Sequence, residues 1–236
     1  MSASDGVALT LLALPTVAAD SDTALLSDSE LVRAARFAFE RDRSAFITTR
    51  AALRRLLGAE CAVEPEALEL AKDSFGRPYL AGAARTAVPD LDFNVTHSGG
   101  RAAIALSRIG RIGIDLESHD RLHSLRELEP MVMGSRERLM LASLSGDEHA
   151  RAFLGCWTRK EAIVKAIGVG IRYPLPTIDI PTVPQGEAVE FHSEDGQVWS
   201  VATVTLDPGV TLSIALSSQR STSASEALHR AAAMSP

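Results

Sequence analysis

Asp115 and Glu117 stand two residues apart inside the apolar stretch "IGIDLES". Residues so spaced in a strand project to one face, while Ile114 and Leu116 turn to the other. Like charges on one face repel, so they need either open water at a sheet edge or a cation between them. Further along, "WTRKEAIVKA" sets Trp157, Glu161 and Lys165 at four-residue intervals, which makes them one stripe on a helix. Taken alone, Glu161 and Lys165 are an exposed ion pair worth about 0.3–0.5 kcal/mol. Trp157 on the same stripe argues for a partly covered face. If the stripe lies across from the strand, three carboxylates and an ammonium converge, and hard oxygen donors beside a cation suit Mg²⁺ bound to a phosphate.

Other segments carry weaker chemistry. "NVTHSGG", residues 94–100, ends a strand in Thr96, His97 and Ser98 before two glycines. His97 is either a structural hydrogen-bonding group or, with the amides of a glycine turn, a donor to phosphate oxygens. Arg41, Arg43 and Arg50 form either a solvated helix face or an anion contact, and "SFGRPY" is either a plain hairpin loop or the border of a ligand. No G-x-x-x-x-G-K-[ST] loop is present, which speaks against a P-loop kinase.

These groups must be positioned by a chain of 236 residues, 46% hydrophobic. That is enough to bury about 70% of the unfolded surface in one large domain or two packed halves. A net charge of −6 gives no basic field for nucleic acid. Cys61 and Cys156 fit neither a metal spacing nor a disulfide framework. "VALTLLALPTVAA" has no positive region before it and is too short to span a membrane, so it reads as a first strand of a cytoplasmic domain with no membrane partner.

Apolar periodicity predicts two helices across residues 27–60, joined near Arg41 to Ser44 and stopped at Gly58. A hairpin follows around Gly76 and Pro78, then strands to Val95, from Ala102 to Ser107 and from Ile112 to Glu117. A short helix is expected from Ser135 to Leu144. Ser145 and Glu148 suggest a capping box opening a long helix through Ala166, with Gly168 as its stop. An Asp-Gly turn at 195–196 predicts a terminal antiparallel meander. The same order of strands and helices occurs twice with a join near residue 110. The expected fold is therefore α+β, a pseudo-two-fold duplication of two similar α/β subdomains, residues 1–110 and 111–218, with a mobile tail at 219–236.

In their order, "FERDRSAFITTRAALR", "FGRPYL", "FNVTHSG", "IGIDLE" and "WTRKEAIVKA" resemble the Sfp-type 4′-phosphopantetheinyl transferases from about Leu31 to Ile171. The resemblance implies transfer of the phosphopantetheine arm of coenzyme A to a serine of an apo acyl or peptidyl carrier protein, releasing 3′,5′-ADP. It implies Mg²⁺, or Mn²⁺, on Asp115, Glu117 and Glu161, with Asp115, Glu161 and Lys165 in catalytic roles and Glu161 a candidate base. Arg41, Arg43, Arg50 and His97 would then hold the phosphates of coenzyme A, chiefly the 3′-phosphate, Lys165 would offset charge at the pyrophosphate, Asn94 and Thr96 would be further coenzyme A contacts, and backbone groups of Gly76, Arg77, Pro78 and Tyr79 would border the adenine. The two-halved members act as monomers and commonly serve polyketide and nonribosomal peptide synthases. Ala45, Thr96 and Arg77 depart from the usual residues. A non-catalytic coenzyme A-binding or carrier-docking module of the same fold is the alternative, disfavoured by the intact Asp115, Glu117, Glu161 and Lys165. "MVMGSRERLMLASL", residues 131–144, is either a core helix or a docking patch for an acidic carrier helix.

Overall fold

The computed structural model describes residues 6–121, 125, 127–170, 173–181, 187–193, 195–206 and 209–217. The proposed tail at 219–236 lies outside them. The fold is α+β, with two subdomains of matching plan. In the first, β1 (Val7–Ala13), β4 (Asp92–Ser98) and β5 (Arg101–Ser107) form an antiparallel sheet in the order β1-β5-β4. In the second, β6 (Ile112–Ser118), β7 (Ala188–His192), β8 (Val198–Thr205) and β9 (Val210–Ser217) form a sheet in the order β6-β9-β8-β7. Each subdomain thus pairs its first strand with its last, then its penultimate. Each also carries one helix of 22 residues, α3 (Glu40–Cys61) and later α7 (Gly146–Ile167).

Ser44, Ile47, Ala51, Arg54, Gly58 and Cys61 recur at alternating steps of three and four along α3, which gives one buried stripe. Smaller elements frame it: α1 (Asp20–Thr23), α2 (Asp28–Ala34), a hairpin of β2 (Leu70–Lys72) and β3 (Pro78–Leu80), and α4 (Gly82–Ala87). In the second half α5 (Glu129–Val132) and α6 (Ser135–Leu141) precede α7.

Three expectations are corrected. The break between the first helices falls at residues 35–39, and Arg41 to Ser44 lie in the first turn of α3, where Glu40 and Asp42 favour the helix N-terminus. Gly58 lies inside α3 rather than ending it. A Cβ there would press on the Val63 carbonyl oxygen, so the glycine serves the return of the chain, and Ala62 takes the left-handed cap at φ 53°. Ser145 occupies the N-cap of α7, but its hydroxyl makes no capping bond. Gly168 does terminate that helix, at φ 86°.

The two sheets meet through an unusual ladder. β6 is the edge of its sheet and cannot leave its outer amides unpaired in the interior. The amides of Ile112, Ile114, Leu116 and Ser118 donate to side chains of every second residue of β4: Asp92 at 2.8 Å, Asn94 at 3.2 Å, Thr96 at 3.2 Å and Ser98 at 3.3 Å. Arg77 closes one end, donating to Asp92 and to the carbonyls of Phe93, Ile112 and Lys165. Ile112, Ile114 and Leu116 pack with Ala103, Ala105, Leu212 and Ile214 in the core between the halves.

On the other side of β6, Gly113 lets α7 lie directly on the strand. A Cβ at that position would overlap the Ala162 carbonyl oxygen and the Ala166 amide. Backbone cannot yield as a flexible side-chain end can, so Gly113→Ala should destabilise the protein by about 1–3 kcal/mol through overpacking. Urea unfolding checks this, the expected result being a lower midpoint at unchanged slope.

Candidate active site

The close seat of α7 on β6 assembles the acidic groups. Asp115 and Glu117 lie on the helix-facing side of β6 and are buried, at 4% and 8% exposure, although their strand is a sheet edge. The water-exposed reading of that strand therefore fails. With Trp157, Glu161 and Lys165 they line a cavity of about 270 Å³, completed by Val95, Thr96, His97 and Leu116. The helix stripe and the strand face do converge.

Lys165 does not pair with Glu161. Its ammonium lies 2.6 Å from Asp115 Oδ1 and donates to Thr96 Oγ1 at 3.3 Å. Ser98 Oγ donates to Glu117 at 2.7 Å, and Thr96 Oγ1 to Asp115 Oδ1 at 3.3 Å, so the ladder hydroxyls also orient the carboxylates. Asp115 Oδ2 and the Trp157 indole nitrogen are buried without a hydrogen-bond partner. Buried polar atoms of this kind are costly unless a ligand completes them. Burial, and then the negative charge of Asp115, holds the Glu161 carboxyl above its ordinary range; Lys165 opposes the shift and Glu117 adds to it.

A larger cleft of about 1070 Å³ shares Val95 and His97 with the acidic cavity. Arg33, Arg41, Arg50 and Lys72 line it, together with Phe46, Thr49, Gly76, Pro78 and the Gly99–Gly100 turn. Burial, and then the charges of Arg33 and Arg50, pull the Lys72 ammonium below its ordinary value. Arg50 is lowered chiefly by burial, against the raising effect of Glu30. Glu30 is shared between Arg50 at 3.3 Å and Arg54 at 2.8 Å, and Asp42, which also lines the cleft, lies 3.3 Å from Arg41, so among the described residues Arg33 and Lys72 are the cations there with no carboxylate in ion-pair contact. Mutually repelling cations beside a cleft are the electrostatic signature of an anion site.

The remaining sequence candidates divide by position. Arg41 reaches the cleft. Arg43 is not among its lining residues and lies 3.5 Å from Glu40 on the exposed side of α3. Gly76 and Pro78 line the cleft, whereas the Arg77 guanidinium is committed to the subdomain junction and Tyr79 faces a different cleft beside Asp92 and Arg111. Asn94 serves the ladder, and Thr96 serves both ladder and cavity. Sequence reasoning missed Arg33 and Lys72. Arg33 belongs to a helix read only for its apolar period, and Lys72 precedes a motif read from Phe75 onward.

Among the described residues no three His, Cys, Asp or Glu side chains already surround a metal position. Asp115, Glu117 and Glu161 nonetheless supply only hard oxygens, one of them unsatisfied, to a single cavity.

Comparison with known proteins gives one answer. The profile of the 4′-phosphopantetheinyl transferase superfamily matches residues 111–215, and that of the 4′-phosphopantetheinyl transferase N-terminal region matches residues 18–108. The chain is 35% identical over 188 residues to the 4′-phosphopantetheinyl transferase HetI of Nostoc sp., covering 76% of this chain and 78% of the relative. It is 25% identical over 201 residues to the L-aminoadipate-semialdehyde dehydrogenase-phosphopantetheinyl transferase of Xenopus laevis, covering 79% and 67% respectively. The human protein of the same name is 26% identical over 189 residues, covering 77% and 59%.

A stability measurement tests the cavity's electrostatics without any ligand. In EDTA at neutral pH, Glu161→Gln should be more stable than wild type, because it removes a half-buried carboxylate held close to other anions. The raised folded-state pKa means that this advantage is present above it, shrinks as pH falls through it toward the ordinary 4.5, and vanishes below that value. Denaturation midpoints across pH check the sign; a less stable Glu161→Gln would mean that Glu161 is a structural ion-pair partner.

Proposed function

The chain belongs to the 4′-phosphopantetheinyl transferase superfamily, and from that premise we propose that its two joined cavities hold coenzyme A along β4. The enzyme transfers phosphopantetheine from coenzyme A to a carrier protein. One observation carries the assignment of the site: an acidic cavity and a basic cleft share Val95 and His97. Coenzyme A has a diphosphate near its middle and a separate 3′-phosphate, and this distribution suits such a pair. The diphosphate lies by Asp115, Glu117, Glu161 and Lys165, and the 3′-phosphate by Arg33, Arg50 and Lys72, with His97 between. Gly76 and Pro78 border the adenosine.

Mg²⁺ fits Asp115, Glu117 and Glu161. This ion keeps several waters and takes one or two carboxylates plus substrate phosphates, so an open acidic cavity suits it better than a closed protein cage. Bound there, it supplies neutralisation of the diphosphate charge. The protein's own groups do the rest. Lys165 opposes the negative charge that grows on the leaving phosphate, and Glu161, facing the same cavity, is the carboxylate that accepts a proton from the incoming serine hydroxyl. The serine oxygen bonds to the phosphorus of the pantetheine phosphate as the bond to 3′,5′-ADP breaks, and no covalent enzyme intermediate is needed.

Both halves of the site come from one chain, so a monomer of the two-halved, Sfp-type group is catalytically complete. The carrier docks on α5 and α6, where Met131 and Leu139 are 64% and 76% exposed beside Arg136 and Arg138, an apolar and basic surface complementary to an acidic helix.

Purified protein with coenzyme A and Mg²⁺ should add one phosphopantetheine group to an apo carrier, read by intact mass, and EDTA should stop it. Unchanged mass across several apo carriers, with folded enzyme, would overturn the reading. Glu161→Gln should lower kcat by about 10²–10⁴ while coenzyme A still binds. Mg²⁺ should raise the melting temperature of the wild type and not that of Glu161→Gln. Lys72→Ala and Arg33→Ala should each raise KM for coenzyme A about tenfold, the value of one charged hydrogen bond, and leave dephospho-coenzyme A unaffected. Equal losses for both substrates would place the 3′-phosphate elsewhere.

A further inference from the structure

Lys160 precedes Glu161 on α7 but points away from the acidic cavity into the protein, with no exposed surface. Its ammonium donates to the Val132 carbonyl at 2.9 Å, the Leu175 carbonyl at 3.1 Å and Glu137 Oε2. These acceptors belong to α5, α6 and the turn at Leu175–Thr177, whose Val132, Leu141 and Leu175 pack in one cluster with Phe153, Leu154 and Cys156 of α7. Glu137 is also completely buried. Its Oε2 accepts the Gly134 amide at 2.8 Å, fixing the joint between α5 and α6, and its Oε1 has no hydrogen-bond partner.

Such a pair is a poor stabilising device. Desolvation of two ions roughly cancels their attraction and an orphaned oxygen adds to the cost, so the pair contributes little to global stability. What the pair does provide is geometry. Two short helices of four and seven residues have little cohesion of their own, and Lys160 fastens both to α7 one residue from Glu161. We infer that Lys160 is a positioning residue for the acceptor substrate: it sets the α5–α6 surface against Glu161 so that a serine on a docked carrier arrives in line with the diphosphate. This rests on the carrier docking at α5–α6 as read above. Glu137 is its necessary partner, and neither residue lines the acidic cavity or the basic cleft.

The test compares wild type with Lys160→Met, an apolar side chain of similar length. The double variant Lys160→Met/Glu137→Leu, which leaves no unpaired charge, is measured beside it in case the single change folds poorly. Three quantities are read: coenzyme A affinity by calorimetry with Mg²⁺, kcat and KM for an apo carrier, and amide hydrogen exchange. Expected are coenzyme A affinity within twofold of wild type, kcat/KM for the carrier down at least tenfold with most of the change in KM, and exchange at 129–141 at least tenfold faster while β6 is unchanged. Carrier kinetics within twofold of wild type in the double variant would overturn the inference, as would a parallel loss of coenzyme A affinity or unchanged exchange at 129–141. Wild-type protein that modifies no carrier would instead sink the functional reading, and the exchange comparison would still judge the pin.

Discussion

Everything in this molecule depends on how an edge strand is satisfied in the interior. β6 carries Asp115 and Glu117, and its outer amides are met by Asp92, Asn94, Thr96 and Ser98 rather than by another backbone. Side chains that project from alternate residues can meet alternate amides only in one register. A slip of one residue would bring Phe93 and Val95, which have no acceptor atoms, to those amides and leave them unpaired. The same hydroxyls then work twice, since Thr96 reaches Asp115 and Ser98 reaches Glu117. The junction between the halves and the orientation of the acidic groups are thus one hydrogen-bond network, in which a partial loss is felt throughout.

That network also explains why the charges are tolerated. Three carboxylates around one small cavity repel, and Lys165 is paired with one of them, Asp115. At the other end, Arg33, Arg50 and Lys72 repel each other across the larger cleft. The overall charge of −6 conceals this separation. Each cluster raises the energy of the protein, a cost that a group of complementary charge would relieve. Rigid backbone keeps the two apart: β4 forms the floor shared by both cavities, and α3 and α7 supply the walls.

What the sequence discloses is what local periodicity controls. The two-residue spacing of Asp115 and Glu117, the four-residue stripe of Trp157, Glu161 and Lys165, and the terminal glycine at 168 each follow from the geometry of a single element, and all are present in the structure. The matched order of elements in the two halves is legible for the same reason. Partners distant in sequence are not. That the Arg77 guanidinium ties Asp92 to the carbonyls of Ile112 and Lys165, and that Asn94 accepts the Ile114 amide, is visible only once the fold brings those partners together. Lys160 sits in a charged run yet is wholly buried, because Glu137 and two carbonyls come from segments that only the tertiary fold brings near. Gly58 reads as a stop, but crowding by Val63 after the helix explains it better.

The chain has two tryptophans, and they occupy opposite situations. Trp157 lines the acidic cavity among Glu161, Lys165 and Asp115, while Trp199 is 4% exposed and packs with Ile163, Phe191 and Val201 on the far side of α7. An excited indole is sensitive to the charges and water around it. Filling or emptying the cavity therefore alters the emission of one fluorophore against a constant background from the other. The protein carries its own optical gauge of that cavity, readable in stopped flow without a label.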